Sequence, residues 1–138
     1  MKAFLIGDYC RVDGLTGEFA EKDYAADLKT FDREISLHSA RNQMISFQLV
    51  VVVDGEEQLK DFEIEFSPLV NEAGRIEPDY EVFIEWFHQI GKQLMPDMLI
   101  PYGTPEAEFR VPLSEEYHAG QRAGALWIDL FVPESARK

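Results

Sequence analysis

Alternation of apolar and polar residues is the clearest pattern in the chain. The segment 61–66 alternates phenylalanine or isoleucine with aspartate or glutamate, and the segments 34–38 and 80–87 alternate in a similar way. A period of two residues is that of a β-strand with one face in the core and the other toward water. The pattern therefore predicts strands over all three segments.

Longer apolar runs predict further strands. The segment 44–53 ends in four consecutive valines, so both of its faces are apolar there. Such a strand is expected in the interior of a sheet, covered on both sides. The segments 2–6 and 126–132 are also predicted strands, and Pro133 ends the second. Asp54-Gly55 and the segment 71–74 are typical of turns.

Several short strands separated by Gly, Pro, Asn and Asp favour an all-β fold, an antiparallel β-sandwich of the immunoglobulin or jelly-roll kind. One short helix fits the segment 18–31, whose apolar residues have mixed spacing. With 138 residues and no linker-like stretch, the chain is expected to form a single domain over 1–138. Its apolar content of 46% supports a folded core.

The charge of the chain limits which classes of partner are expected. The chain carries 26 acidic and 13 basic side chains, for a formal net charge of −13. This charge repels nucleic acid and anionic lipid, so we expect no nucleic-acid partner and no membrane partner. The N-terminal apolar run of four residues is too short for a signal peptide, and a cytoplasmic location is the default expectation. Secretion after removal of an upstream signal stays open.

The sequence predicts no metal site and no cofactor. Cys10 is the single cysteine, without neighbouring residues that would activate its thiol, so an inert thiol is expected. The three histidines are far apart and lack ligand spacing. The glycine-rich phosphate-binding motifs and the G-x-S-x-G nucleophile motif are missing from the sequence.

Four segments together resemble a known family. The run 40–53 contains Ala-Arg-Asn-Gln, then Ser-Phe-Gln and a valine-rich strand. It is followed by Phe-Ser-Pro-Leu at 66–69, Met-Pro-Asp-Met-Leu-Ile-Pro at 95–101, and Ala-Gly-Gln at 119–121 ahead of a tryptophan-containing strand that ends in Val-Pro-Glu-Ser-Ala. In this order the segments resemble the N-terminal β-sandwich domain of family 123-type glycoside hydrolases and their uncharacterised relatives. The resemblance spans residues 35–138.

The resemblance implies a non-catalytic accessory module that packs against a downstream catalytic barrel. The catalytic Asp-Glu pair of the family lies in that barrel, and no aspartate of this chain is followed by glutamate. The chain alone is therefore expected not to be an enzyme. The resemblance assigns structural roles to the motif residues Arg41, Asn42, Gln43, Phe47, Gln48, Asp97 and Trp127.

Individual roles follow from the residue types. The polar trio 41–43, with Gln43 in place of the family's glutamate, is expected to bond backbone at the entry to the long strand. Asp97 is expected to form a turn, with the proline-flanked segment 96–101 as an extended arm against a neighbouring domain. Tyr102 and Tyr117, in predicted loops, are candidates for contact with a ligand or a domain.

Three rival functions stay open. A stand-alone carbohydrate-binding module would expose aromatic platforms. An interaction or assembly domain would use the acidic segment 54–72, which has seven acids and one base. An enzyme would need scattered acids and histidines to converge. A further expectation concerns the strand 126–132, predicted to lack a neighbour on one side, so that either a homodimer closes the edge or the chain belongs to a longer parent.

Overall fold

The computed structural model of the chain describes residues 1–20, 34–72, 74–105 and 107–136. Within these ranges the fold is all-β and antiparallel, as predicted, with seven strands in a five-stranded sheet and a separate two-stranded sheet. The strands are β1 Lys2–Gly7, β2 Gln43–Val52, β3 Leu69–Asn71, β4 Gly74–Ile76, β5 Asp79–Ile90, β6 Gln93–Pro101 and β7 Ala123–Val132. The helix considered over 18–31 lies mostly outside the described residues.

The main sheet has the strand order β1-β2-β7-β5-β6. The last strand in sequence, β7, is therefore the central strand: it pairs with β2 along its whole length and with β5 over Leu126–Phe131. The expectation that this strand lacks a neighbour is wrong. Among the described residues the edges of the main sheet are β1 and β6. The prediction failed because the order of strands along the sequence does not reveal which strands pair.

The core face of the sheet is the face that carries Phe47, Ile84 and Leu126, all of them buried. Non-strand segments cover it as the second layer of a sandwich-like fold. Ile35 and Leu37 pack against Phe47, Ile128 and Leu130, while the segment 107–113 packs over the other end. There a side chain on Gly124 would meet Val111 at 2.7 Å, so the glycine allows the layers to approach.

Two predicted strands become packed segments without a ladder. Residues 34–38 and 61–65 do alternate in burial as predicted, with Ile64 half-buried and Glu63 exposed, whereas Phe66 is exposed although the alternation predicts that it packs inward. A bridge between Leu59 and Val111 precedes the second segment, and within that segment the carbonyl oxygen of Phe62 accepts a hydrogen bond from the Tyr102 hydroxyl. Alternation therefore reports which side chains pack inward, whereas a strand also needs an adjacent backbone in register.

The opposite face of the sheet, called here the loop face, carries Phe4, Gln48, Glu85 and Trp127. Residues 8–20 cross part of it and bury an apolar group that includes Cys10 and Val12. The valines at the end of β2 are buried on both faces, as predicted for an interior strand. The described part of the chain contains no helix long and apolar enough to cross a membrane.

Candidate functional site

A cleft of about 210 Å³ opens on the loop face, between the residues that follow β1 and the strands β2, β7, β5 and β6. Trp127 lines it from the middle of the sheet. Its lining combines carboxyl, amide, thiol, guanidinium and apolar groups: Asp8, Cys10, Arg11, Gln48, Glu85, Pro96, Asp97, Leu99 and Trp127. We call this the Glu85 cleft.

Hydrogen bonds fix the loop that forms one wall of the Glu85 cleft. The side-chain amide of Gln48 donates to the carbonyl oxygens of Gly7, at 3.1 Å, and Cys10, at 2.8 Å. Farther along, a carboxylate oxygen of Asp13 accepts from the backbone N–H of Leu94 at 3.0 Å. The loop is thereby attached to β2 at one side of the sheet and to β6 at the other.

Strand register places the polar side chains of the floor. Gln48 of β2 is opposite Trp127 of β7, and Trp127 is opposite Phe83 of β5. Glu85 lies two residues beyond Phe83 on the same face, so it is separated from Gln48 by two strand spacings, roughly 10 Å across the sheet. The two side chains therefore extend over the loop face on either side of β7.

A β-bulge places the acidic residue of β6. Trp86 of β5 is opposite Met98, whereas the next residue, Phe87, is opposite Pro96, which leaves Asp97 as the extra residue. The predicted turn at Asp97 is therefore a bulge inside an edge strand, and the predicted extended arm 96–101 is part of β6. Bulges re-aim side chains and are frequent beside functional sites.

Glu85 is the unusual group of the cleft. It is 4% exposed, and its Oε2 has no hydrogen-bond partner among the described residues. Burial raises the pKa of Glu85 to about 7, and the charge of Arg11 only partly opposes this effect. No ion pair within 4.0 Å joins the two side chains in the described part of the chain.

A second buried acceptor accompanies it. Gln48 is 2% exposed and uses its amide group on the loop, while its Oε1 has no partner among the described residues. Both unpartnered atoms of the floor are therefore oxygens. Leaving a buried acceptor unpaired costs about 1–3 kcal/mol, so these two oxygens favour a partner that donates hydrogen bonds.

Trp127 is held in one orientation. Its indole N–H donates to Asp129 at 2.7 Å, and the same carboxylate oxygen accepts from the hydroxyl of Ser46 at 2.6 Å. The indole is half-buried. Burial raises the pKa of the Cys10 thiol, which agrees with the expected inert thiol rather than a nucleophile.

The motif residues fall into three groups. Gln48, Asp97 and Trp127 meet in the Glu85 cleft, whereas Phe47 packs on the core face. The trio 41–43 is exposed at the entry to β2, where the Asn42 backbone N–H donates to Val132 at 2.8 Å in a left-handed conformation. Asparagine tolerates that conformation better than most residues.

The two tyrosines predicted to contact a ligand or a domain lie in different environments. The hydroxyl of Tyr102 donates to the carbonyl oxygen of Phe62 at 2.8 Å and so attaches the segment 61–66 to the end of β6. Tyr117 is 71% exposed at the rim of another cleft, of about 380 Å³, on the other side of the sheet. That cleft is also lined by Trp86, Glu108 and Arg110 and is called here the Tyr117 cleft.

Sequence reasoning missed Glu85 as a site residue, although a signal existed. In β5 the residue lies between Phe83 and Phe87 on one face, and an acid flanked in this way is placed in apolar surroundings. His118, by contrast, is buried as a structural residue: its Nε2–H donates to the Phe87 carbonyl at 2.9 Å, and burial lowers the pKa of the ring. No metal-binding group of three or more His, Cys, Asp or Glu residues occurs among the described residues.

Comparison with known proteins adds no assignment. The chain matches no protein-family model, and no curated protein is significantly similar to it.

Proposed function

We propose that this chain is a non-catalytic accessory module of a glycoside hydrolase-like protein and that it packs against a neighbouring catalytic domain. The observation that supports this is the outer edge of β6. Met98 and Leu99 are 49% and 43% exposed there, as consecutive residues of an edge strand that point to opposite faces of the sheet. Exposed apolar side chains at a sheet edge are usually covered by another part of the protein.

The prolines of β6 favour coverage by a domain over pairing with another strand. Pro96 and Pro101 have no backbone N–H, so the edge has fewer donors for a further ladder. A homodimer built by pairing two β6 edges is for this reason the weaker alternative. It stays a distinct outcome of the experiment below.

Hydrogen–deuterium exchange of the chain and of the complete polypeptide that its gene encodes tests the proposal. We expect the amides of Met98 and Leu99 to exchange several-fold more slowly in the complete polypeptide, and those of β1 at the opposite edge to be unchanged. A gene that encodes no further domain, equal exchange in both proteins, or protection in the chain alone through dimers would each contradict the proposal.

A second candidate function, carbohydrate binding, is favoured by the Tyr117 cleft. Sugar rings stack on exposed aromatic side chains, and their hydroxyls bond to charged groups such as Glu108 and Arg110. Both kinds of group line this cleft, with Tyr117 at the rim and Trp86 half-buried inside.

We expect Tyr117→Ala to weaken sugar binding roughly tenfold, since stacking on an aromatic ring contributes about 1 kcal/mol or more. Isothermal titration with a panel of neutral oligosaccharides measures the effect. Tyr80→Phe, remote from the lining of this cleft, is the matched control. The absence of saturable heat for every sugar in the panel would exclude this candidate.

A further inference from the structure

The Glu85 cleft combines three properties that select a ligand. Its floor holds two buried, unpartnered acceptors, Glu85 Oε2 and Gln48 Oε1. Its lining contains three acids, Asp8, Glu85 and Asp97, against the single basic residue Arg11. Leu99, Pro96 and the side of Trp127 supply apolar surface.

We propose that the Glu85 cleft binds a small organic ammonium ion, with its N–H groups donated to Glu85 and Gln48 and its carbon chain against Trp127. This inference does not rest on the accessory role, because it concerns a pocket formed within the chain itself.

Donor and acceptor chemistry argues for an amine. Unpartnered oxygens require donors, and a primary ammonium has three donors and no acceptor to leave unpaired. The indole N–H of Trp127 is already engaged by Asp129, so the indole offers the ligand its face, and cations are attracted to such a face. A ligand rich in acceptors, such as a phosphate or a carboxylate, would meet like charge here.

The charge of the lining favours an ammonium ion over a neutral polyol as the ligand of the Glu85 cleft. Both supply donors, but only the cation offsets the excess of acidic groups in the lining and in the whole chain, whose net charge is −13. The titratable and charged groups around Glu85 are Asp8, Cys10 and Arg11 from the loop, Asp97 from β6, and Asp129 beside Trp127. A bound cation would stabilise the ionised carboxylate and so oppose the effect of burial, which raises the pKa of Glu85 to about 7.

Size and access are consistent with a small ligand. At about 30 Å³ for each water, a cleft of about 210 Å³ has room for roughly seven waters or a ligand of similar heavy-atom number. The two unpartnered oxygens are buried and belong to residues that line the cleft. Arg11 and Asp97 line the cleft with exposed side chains that make no hydrogen bond within the described part of the chain.

The experiment compares n-butylammonium with 1-butanol, which has nearly the same shape and no charge. At pH 8, the Trp127 indole N–H resonance is followed by nuclear magnetic resonance during titration, after assignment with Trp127→Phe. We expect saturable shifts with butylammonium and a much weaker response to butanol. Glu85→Gln should weaken butylammonium binding roughly tenfold or more, the value of a charge-assisted hydrogen bond.

Glu81→Gln is the matched control. Glu81 lies on the same face of β5, is exposed, and is outside the lining of the cleft. It should leave the dissociation constant within about twofold, as surface changes usually do. Methyl proton resonances of Glu85→Gln that are as widely dispersed in chemical shift as those of wild type would show that the variant is folded.

Several results would overturn the proposal. Equal binding of butanol would make the cleft a simple apolar pocket, and equal shifts with potassium chloride would make it a site of nonspecific cation attraction. Equal weakening by Glu81→Gln would replace the specific contact with general charge. The absence of any saturable shift would exclude the site altogether.

Discussion

Phe109→Ala should lower the free energy of unfolding by about 3–5 kcal/mol, as the truncation of a fully buried phenylalanine does. Phe109 has no exposed surface, and its ring packs edge to face against that of Phe62 with the ring centroids 5.0 Å apart. It also packs over Gly124, so the change would open a cavity where the second layer rests on the central strand β7. Urea denaturation measures the loss, which corresponds to a fall in Tm of roughly 10–20 °C.

Phe66→Ala is the matched comparison for this prediction. Phe66 stacks on Tyr80 at 4.0 Å but is itself exposed, so its truncation should cost about 1–2 kcal/mol. Equal losses for the two variants would mean that the segment 107–113 is not a structural layer of the core. The same substitution, phenylalanine to alanine, is thus compared at a buried and at an exposed position.

Glu85→Gln should make stability less sensitive to pH and should stabilise the protein at pH 8 by up to about 3 kcal/mol. The reason is that burial raises the pKa of this carboxyl from its ordinary value of 4.5 to about 7. A difference of about 2.5 in pKa corresponds to roughly 3 kcal/mol. Glutamine keeps the size of the side chain and removes the ionisation.

The direction of this effect follows from proton binding. Because the pKa of Glu85 is higher in the folded state, that state binds the proton more tightly than the unfolded chain does. The resulting stabilisation is complete below about pH 4.5, declines as the pH rises through about 7, and is absent above it. Wild type and Glu85→Gln should therefore differ little at pH 4 and most at pH 8.

Urea titrations of both proteins at a series of pH values measure this difference. The pKa of His118 is lowered by burial and also contributes to the pH profile, but the contribution is common to both proteins and cancels. Glu81→Gln, exposed on the same face, should follow the wild-type profile. A Glu85→Gln profile parallel to wild type would mean that this carboxyl ionises as freely as a surface acid.

The stability and ligand predictions for Glu85 are connected. An ionised carboxyl in this position is unfavourable in the empty protein, and a ligand that neutralises it would recover part of that loss. Butylammonium should therefore raise the Tm of wild type at pH 8 and leave that of Glu85→Gln nearly unchanged.

The sequence by itself determined which side chains turn inward. Val50 and Val51 are buried on opposite faces of β2, and Ile64 packs inward while Glu63 is exposed. These properties depend on a two-residue period and on the free energy of burying apolar surface, both of which are local to a segment. The all-β antiparallel class followed from the same information.

Only the tertiary structure decided which strands pair and which side chains meet. The place of β7 at the centre, the bulge at Asp97 and the lack of a ladder at 61–66 all depend on contacts between residues far apart in sequence. The Glu85 cleft is assembled in the same way, from a loop and four strands. Register across those strands brings Gln48 and Glu85 to one face around Trp127, and periodicity within a single segment carries no information about that register.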